Sequence, residues 1–117
     1  MSELIELVKT DAIAQVFLNR PQAYNAFNYD LVSQLTSRLS TLAGDDSVSG
    51  VVVTGRGKAF CAGGDLKWAL GYPARPGAAF HTLASKFHLA ILEIRRMKKP
   101  VVAAVNGVAA GGGFSMA

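Results

Sequence analysis

The chain has little of what several large function classes require. It holds one cysteine, Cys61, so no internal disulfide can form. That excludes the disulfide-stapled secreted scaffolds and fits a reducing, cytoplasmic setting. Its only histidines, His81 and His88, have no carboxylate or cysteine beside them at ligand spacing, so no metal site is expected. Charged residues make up only 17% of the chain and apolar residues 50%, which excludes a disordered segment. The longest uncharged stretch, Pro100 to Ala117, carries Asn106, Ser115 and four glycines and is too short and too broken to cross a bilayer. Met1-Ser2-Glu3-Leu4 has neither a basic nor an apolar segment, so no signal peptide is expected. The net charge of +4 suits an anionic ligand without choosing among phosphate, nucleic acid and a solvated surface. A chain of 117 residues allows one domain.

What is present reads as an α/β pattern. Leu4–Lys9 and Ile13–Leu18 read as a hairpin, and Pro21 opens a loop over 20–27. Asn28 is placed to cap a helix to about Ala43, with Leu31, Val32, Leu35, Leu39 and Leu42 as one apolar stripe. Gly44 is placed to end it. Gly50–Thr54 and Val101–Val105 lack alternation, as expected of strands covered on both faces. A brief extended piece, Ala59–Cys61, precedes a short helix from Leu66 to about Leu70, with Asp65 as its N-cap. A loop over 71–77 leads to a long helix from about Ala79 to Met97, striped by Phe80, Leu83, Phe87, Ile91, Ile94 and Met97. A last helix begins near Gly111 and shows no stop signal by Ala117, so the chain reads as one cut within that helix.

Two glycine-rich turns hold the chemistry. The first is Phe60-Cys61-Ala62-Gly63-Gly64-Asp65, and the second is Asn106-Gly107-Val108-Ala109-Ala110-Gly111-Gly112-Gly113. Each follows a strand-like run and opens a helix. Glycine lets another molecule approach the backbone, and the first amides of a helix lack internal partners. Neither turn supplies the Lys-Ser/Thr pair of a P-loop, the spacing of a dinucleotide turn after the first strand, or a nucleophile elbow. What remains is two amide donors for one anionic oxygen, weighed against small residues that merely let helix and strand pack closely. Cys61 reads as a small buried side chain rather than a nucleophile.

Three segments in order then carry a resemblance: Asn19-Arg20-Pro21-Gln22-Ala23-Tyr24-Asn25-Ala26, Gly57 through Lys67, and Lys99 through Gly113. The chain resembles the N-terminal part of the enoyl-CoA hydratase/isomerase (crotonase) superfamily. The resemblance implies an incomplete crotonase-like spiral of β-β-α units and an enzyme acting on acyl-CoA thioesters. It puts the two oxyanion-hole amides at Gly64 and Gly112. It puts coenzyme A contacts at Gln22, Ala23 and Tyr24 and along Ala62, Gly63, Asp65 and Leu66, with Lys58 and Lys67 near the phosphates. It implies no prosthetic group, coenzyme A entering as part of the substrate, and a homo-oligomer, a trimer or dimer of trimers, away from membranes. Phe27, Trp68, Leu70 and Tyr72 are candidates for the acyl pocket.

One position departs from the hydratase pattern. Where that pattern has its first glutamate, three residues after the middle glycine, this chain has Ser115. A serine hydroxyl is a poor general base at neutral pH. The implied reaction is isomerisation or hydration of an enoyl-CoA, with hydrolase, dehalogenase and decarboxylase branches as alternatives. A non-catalytic member that binds CoA thioesters or RNA is the other alternative, and Arg95-Arg96-Met97-Lys98-Lys99 is its best feature. The plainer reading of that run is cations complementing a helix C-terminus. Asp30, Asp45 and Asp46 sit at expected helix ends and have no catalytic claim.

Overall fold

In the computed structural model, which describes residues 3–73 and 75–117, the chain repeats one unit, strand–strand–helix. The first is β1 (Ile5–Thr10), β2 (Ile13–Leu18) and α1 (Tyr29–Ala43). The second is β3 (Gly50–Gly55), β4 (Ala59–Cys61), α2 (Leu66–Leu70) and α3 (Pro76–Arg96). The third is β5 (Val101–Ala103), β6 (Val108–Ala109) and α4 (Gly112–Met116). A 3₁₀ turn, Pro21–Ala23, lies between β2 and α1.

The sheets follow from this repetition. The larger has the order β1-β2-β3-β5, antiparallel at the hairpin and parallel thereafter. The smaller is β4 paired in parallel with β6. Each unit thus sends its first strand to one sheet. From the second unit on, its second strand goes to the other. This is the crotonase-like α/β arrangement.

The core lies between the larger sheet and α1. Alternate β2 residues Ala14, Val16 and Leu18 are buried, and so are Val51 and Val53 of β3. All five stripe residues of α1 are buried against them, each burial contributing about 1.5–3 kcal/mol. The Asn28 side chain accepts from Leu31 N at 2.8 Å, as its place before the stripe requires, and Gly44 is the C-cap. Lys99 adds a distant cap. Its Nζ donates to Leu42 O and Asp45 O at 2.6 and 2.5 Å, satisfying carbonyls at the end of α1.

Three expectations change. First, α3 starts at Pro76, not Ala79: proline at the first helical position costs nothing, because its missing N–H would have no partner there. Second, β5 stops at Ala103 and is not covered on both faces; Val102 is 56% and Val105 51% exposed. The last ladder bond there runs from Ala104 N to Val53 O. Beyond it the Asn106 side chain takes over, its Oδ1 accepting from Gly55 N at 3.0 Å and its Nδ2 donating to Gly55 O at 2.9 Å. An amide side chain imitates a peptide group and ends the strand early. Third, β6 is an additional strand, two residues long and so beneath any readable periodicity.

Gly77 has open space where a Cβ would stand and lies in the first turn of α3. Gly77→Ala is expected to stabilise the protein by about 0.5–1 kcal/mol, read from chemical denaturation.

Candidate active site

The two glycine turns leave adjacent, parallel strands. β4 and β6 pair Ala59 with Val108 and Cys61 with Ala109. Gly64 and Gly112 therefore stand at equivalent steps, each three residues beyond the Cys61–Ala109 pair. The turns touch: Ala110 N donates to Cys61 O at 3.0 Å, and a Cβ on Gly63 would lie 2.9 Å from Ala110 O and 3.4 Å from Gly112 N. Gly63 has φ +97° and Gly111 φ +53°, backbone that favours glycine. Gly113 packs so closely on β4 that a Cβ would fall 2.2 Å from Cys61 O.

The orientation of Gly64 is set by Phe27. The two form a parallel bridge in which Phe27 N donates to Gly63 O at 2.7 Å and Asp65 N donates to Phe27 O at 2.9 Å. Residues 63 and 65 thus spend their groups on Phe27, and the N–H of Gly64 faces the other way. Among the described residues, neither Gly64 N nor Gly112 N has a main-chain or side-chain acceptor.

A polar cluster supports this bridge. Arg20 Nη2 pairs with Asp65 Oδ2 at 2.7 Å, and its Nη1 donates to Ala26 O at 3.0 Å. Asn25, fully buried and with φ +57°, accepts from Arg20 N at 2.8 Å and donates Nδ2 to Arg56 O and Ala59 O at 3.0 Å each. Asp65 also caps α2, its Oδ1 accepting from Trp68 N at 3.2 Å. The capping role matches the expectation; the Arg20 partner does not appear in any local pattern.

Burial raises the pKa of Asp65, but hydrogen bonds from Arg20 and Trp68 and the Arg20 charge outweigh it, so the carboxyl ends below its ordinary 3.8. A carboxyl held low in the folded state stabilises it above the unfolded-state value and loses that contribution as pH falls through the folded value. Stability is expected to fall below pH about 4, and the variant R20M/D65N is expected to show a flatter pH–stability curve there. A denaturation series from pH 6 to 2 reads this out; identical curves would count against it.

Other site candidates are placed as follows. Gln22 and Tyr24 are exposed and Ala23 half-buried beside the first turn, joined to it by Ala62 N donating to Tyr24 O at 3.0 Å. The amides of Ala23 and Tyr24 are already used, on Arg20 O and Pro21 O, and their carbonyls accept from Ala26 N and Ala62 N. Ala62, Leu66 and Lys67 are exposed on the first glycine turn and the start of α2, and Lys58 is exposed on the β3–β4 turn at the other end of β4. Cys61 is buried, donates Sγ to Asn25 O at 3.2 Å, and burial pushes its thiol up to about 11. It is an inert packing residue at neutral pH. Among the acyl-pocket candidates, Phe27 belongs to the core, its ring 5.1 Å from that of Phe87. The Trp68 and Tyr72 rings meet at 5.3 Å, tilted by 59°, and Leu70 is exposed. A cavity of about 330 Å³ lies elsewhere, lined by Phe60, Ile91, Ile94, Arg95 and Ser115 among others. Neither Gly64 nor Gly112 lines it.

Fold and paired turns define a class: β-β-α scaffolds in which two glycine turns from successive units meet. Residues 8–117 match the family model described as enoyl-CoA hydratase/isomerase, and the chain belongs to that family. It is 36% identical over 113 residues to 4-chlorobenzoyl coenzyme A dehalogenase-2 of Arthrobacter sp., covering 96% of this chain and 41% of that protein. It is 34% identical over 118 residues to 1,2-epoxyphenylacetyl-CoA isomerase of Escherichia coli, covering 100% of this chain and 45% of that one. The crystal structure of an enoyl-CoA hydratase from Bacillus anthracis superposes with a TM-score of 0.88 at 30% identity, over 97% of this chain and 44% of that one. The chain thus spans less than half the length of these relatives.

Proposed function

We propose that this chain holds the carbonyl oxygen of an acyl-CoA thioester between the main-chain N–H groups of Gly64 and Gly112. Chemistry next to a thioester builds negative charge on that oxygen, as an enolate or a tetrahedral adduct. Donors fixed in advance stabilise that charge without reorganising. The observation that supports this is the contact between the two turns, with two partnerless amides at equivalent steps beyond the β4–β6 pair. The relatives' names share one feature, an acyl group on coenzyme A, while their reactions differ. A common carbonyl site serving several chemistries fits that spread.

The reaction we assign is isomerisation or hydration of an enoyl-CoA. Ser115 is exposed and its hydroxyl holds its proton too tightly to activate water at neutral pH, which favours proton transfer along the acyl chain over hydration through that position. Gln22, Ala23, Tyr24, Ala62, Gly63 and Leu66 would border the coenzyme, with Lys58 and Lys67 facing its phosphates. Asp65 would contribute main chain only, because Arg20 and Trp68 N engage its carboxylate. The working protein would be a homo-oligomer in the cytoplasm. The RNA-binding alternative gains no support, since Arg96 pairs with Glu93 at 2.7 Å and Lys99 caps α1.

The test compares butyryl-CoA with S-butyl-CoA, the thioether that lacks only the carbonyl oxygen. Two hydrogen bonds predict about tenfold tighter binding of the thioester by calorimetry. Equal affinities would remove the carbonyl contact from the account.

A further inference from the structure

We propose that Arg20 is a positioning residue for the Gly64 amide, acting through Asp65 and Ala26. The inference rests on the carbonyl-binding reading above. Its geometry stands independently of it.

The guanidinium spans the Phe27–Gly64 bridge from outside. One arm holds Ala26 O, the residue before Phe27, at 3.0 Å. The other holds Asp65, the residue after Gly64, at 2.7 Å. The two chain segments that make the bridge are thereby tied at a common point. The bridge itself consists of Phe27 N to Gly63 O and Asp65 N to Phe27 O, and those bonds dictate which way the Gly64 N–H faces. Gly64 has no side chain of its own to fix its peptide plane, and a glycine explores backbone conformations that other residues avoid. The orientation therefore has to come from its neighbours. The clamp is well shielded: the Arg20 and Asp65 side chains are 18% and 11% exposed. Arg20 is itself anchored, since its N donates to Asn25 Oδ1 and its carbonyl accepts from Ala23 N and Asn25 N. A planar fork with two separated donors suits this task. An ammonium is a single point and cannot hold both acceptors in the same geometry.

R20K is the discriminating variant, because it keeps a cation opposite Asp65. It is expected to leave S-butyl-CoA affinity within about twofold while the thioester advantage falls from about tenfold toward unity. In the ligand-free protein, ¹⁵N relaxation is expected to report a drop in the Gly64 amide order parameter from about 0.85 toward 0.6, with Gly112 unchanged. R20M/D65N removes both charges and retains an N-cap side chain, and it is expected to give the same two results should R20K not fold. A full thioester advantage together with a rigid Gly64 amide in either folded variant would overturn the proposal. Should wild type itself bind both probes equally, the carbonyl reading fails, and the relaxation result alone then decides whether Arg20 holds Gly64.

Discussion

Gly112→Pro is expected to lower turnover of an acyl-CoA thioester by about 10²–10³ while the fold persists. The substitution removes the N–H and sets the Cδ of the proline ring where its hydrogen stood, so position 112 can no longer donate. Gly112 is the first residue of α4, where proline is well tolerated and its fixed φ suits the helix. A Cβ there would stand 3.4 Å from the Phe27 ring edge and 3.9 Å from Phe87, contacts that aromatic side chains can absorb with small shifts. The lost N–H has no protein acceptor among the described residues, so no internal hydrogen bond is sacrificed. If that donor serves a developing oxyanion, its removal strikes the transition state harder than the ground state. The loss should be much larger in kcat than in KM, which should rise by the few-fold that one lost ground-state hydrogen bond costs. Steady-state kinetics beside a thermal melt separates the two. An unchanged kcat, or a fall explained wholly by unfolding, would contradict the assignment of Gly112.

The second large effect concerns stability. Gly113→Ala is expected to destabilise the protein by about 1–3 kcal/mol or more. The added carbon would fall 2.2 Å from Cys61 O and 2.7 Å from Cys61 Cβ. A flexible side chain could move aside, but here the nearest atom is backbone. Cys61 O also accepts from Ala110 N at 3.0 Å, so retreating would break the bond that joins the two turns. The strain has no cheap outlet. A midpoint lowered by roughly 5 °C or more in a thermal melt is the expected reading, with Gly77→Ala moving the other way. Equal midpoints for wild type and Gly113→Ala would mean that α4 does not pack on β4 as described.

Much of this architecture was legible in the residues because it rests on local rules. The α1 stripe and its Asn28 cap follow from helical spacing and capping chemistry, and all five stripe residues are buried where the spacing put them. Asp65 as a cap followed from the same chemistry. Hidden from view were contacts between distant segments. Arg20 meets Asp65 across 45 positions, and Asn106 meets Gly55 across 51. No periodicity reports such pairs. Asn25 and Asn106 stand within the motifs that carry the resemblance, but nothing local announces their distant partners, Ala59 O for the one and Gly55 for the other. The mistaken start of α3 has a different cause: Pro76 and Gly77 read as loop residues, yet proline belongs at a first helical turn. Likewise Val101–Val105 is apolar enough for a covered strand, but composition does not tell which strands lie at an edge of the sheet.

Infrared difference spectroscopy on butyryl-CoA labelled with ¹³C at the thioester carbonyl observes the proposed contact itself. Bound to wild type, the labelled carbonyl band should move to lower frequency than in water, and Gly112→Pro should reverse most of that movement. A band left at its aqueous position by the wild-type protein would contradict the account, whatever the affinity measured for the coenzyme.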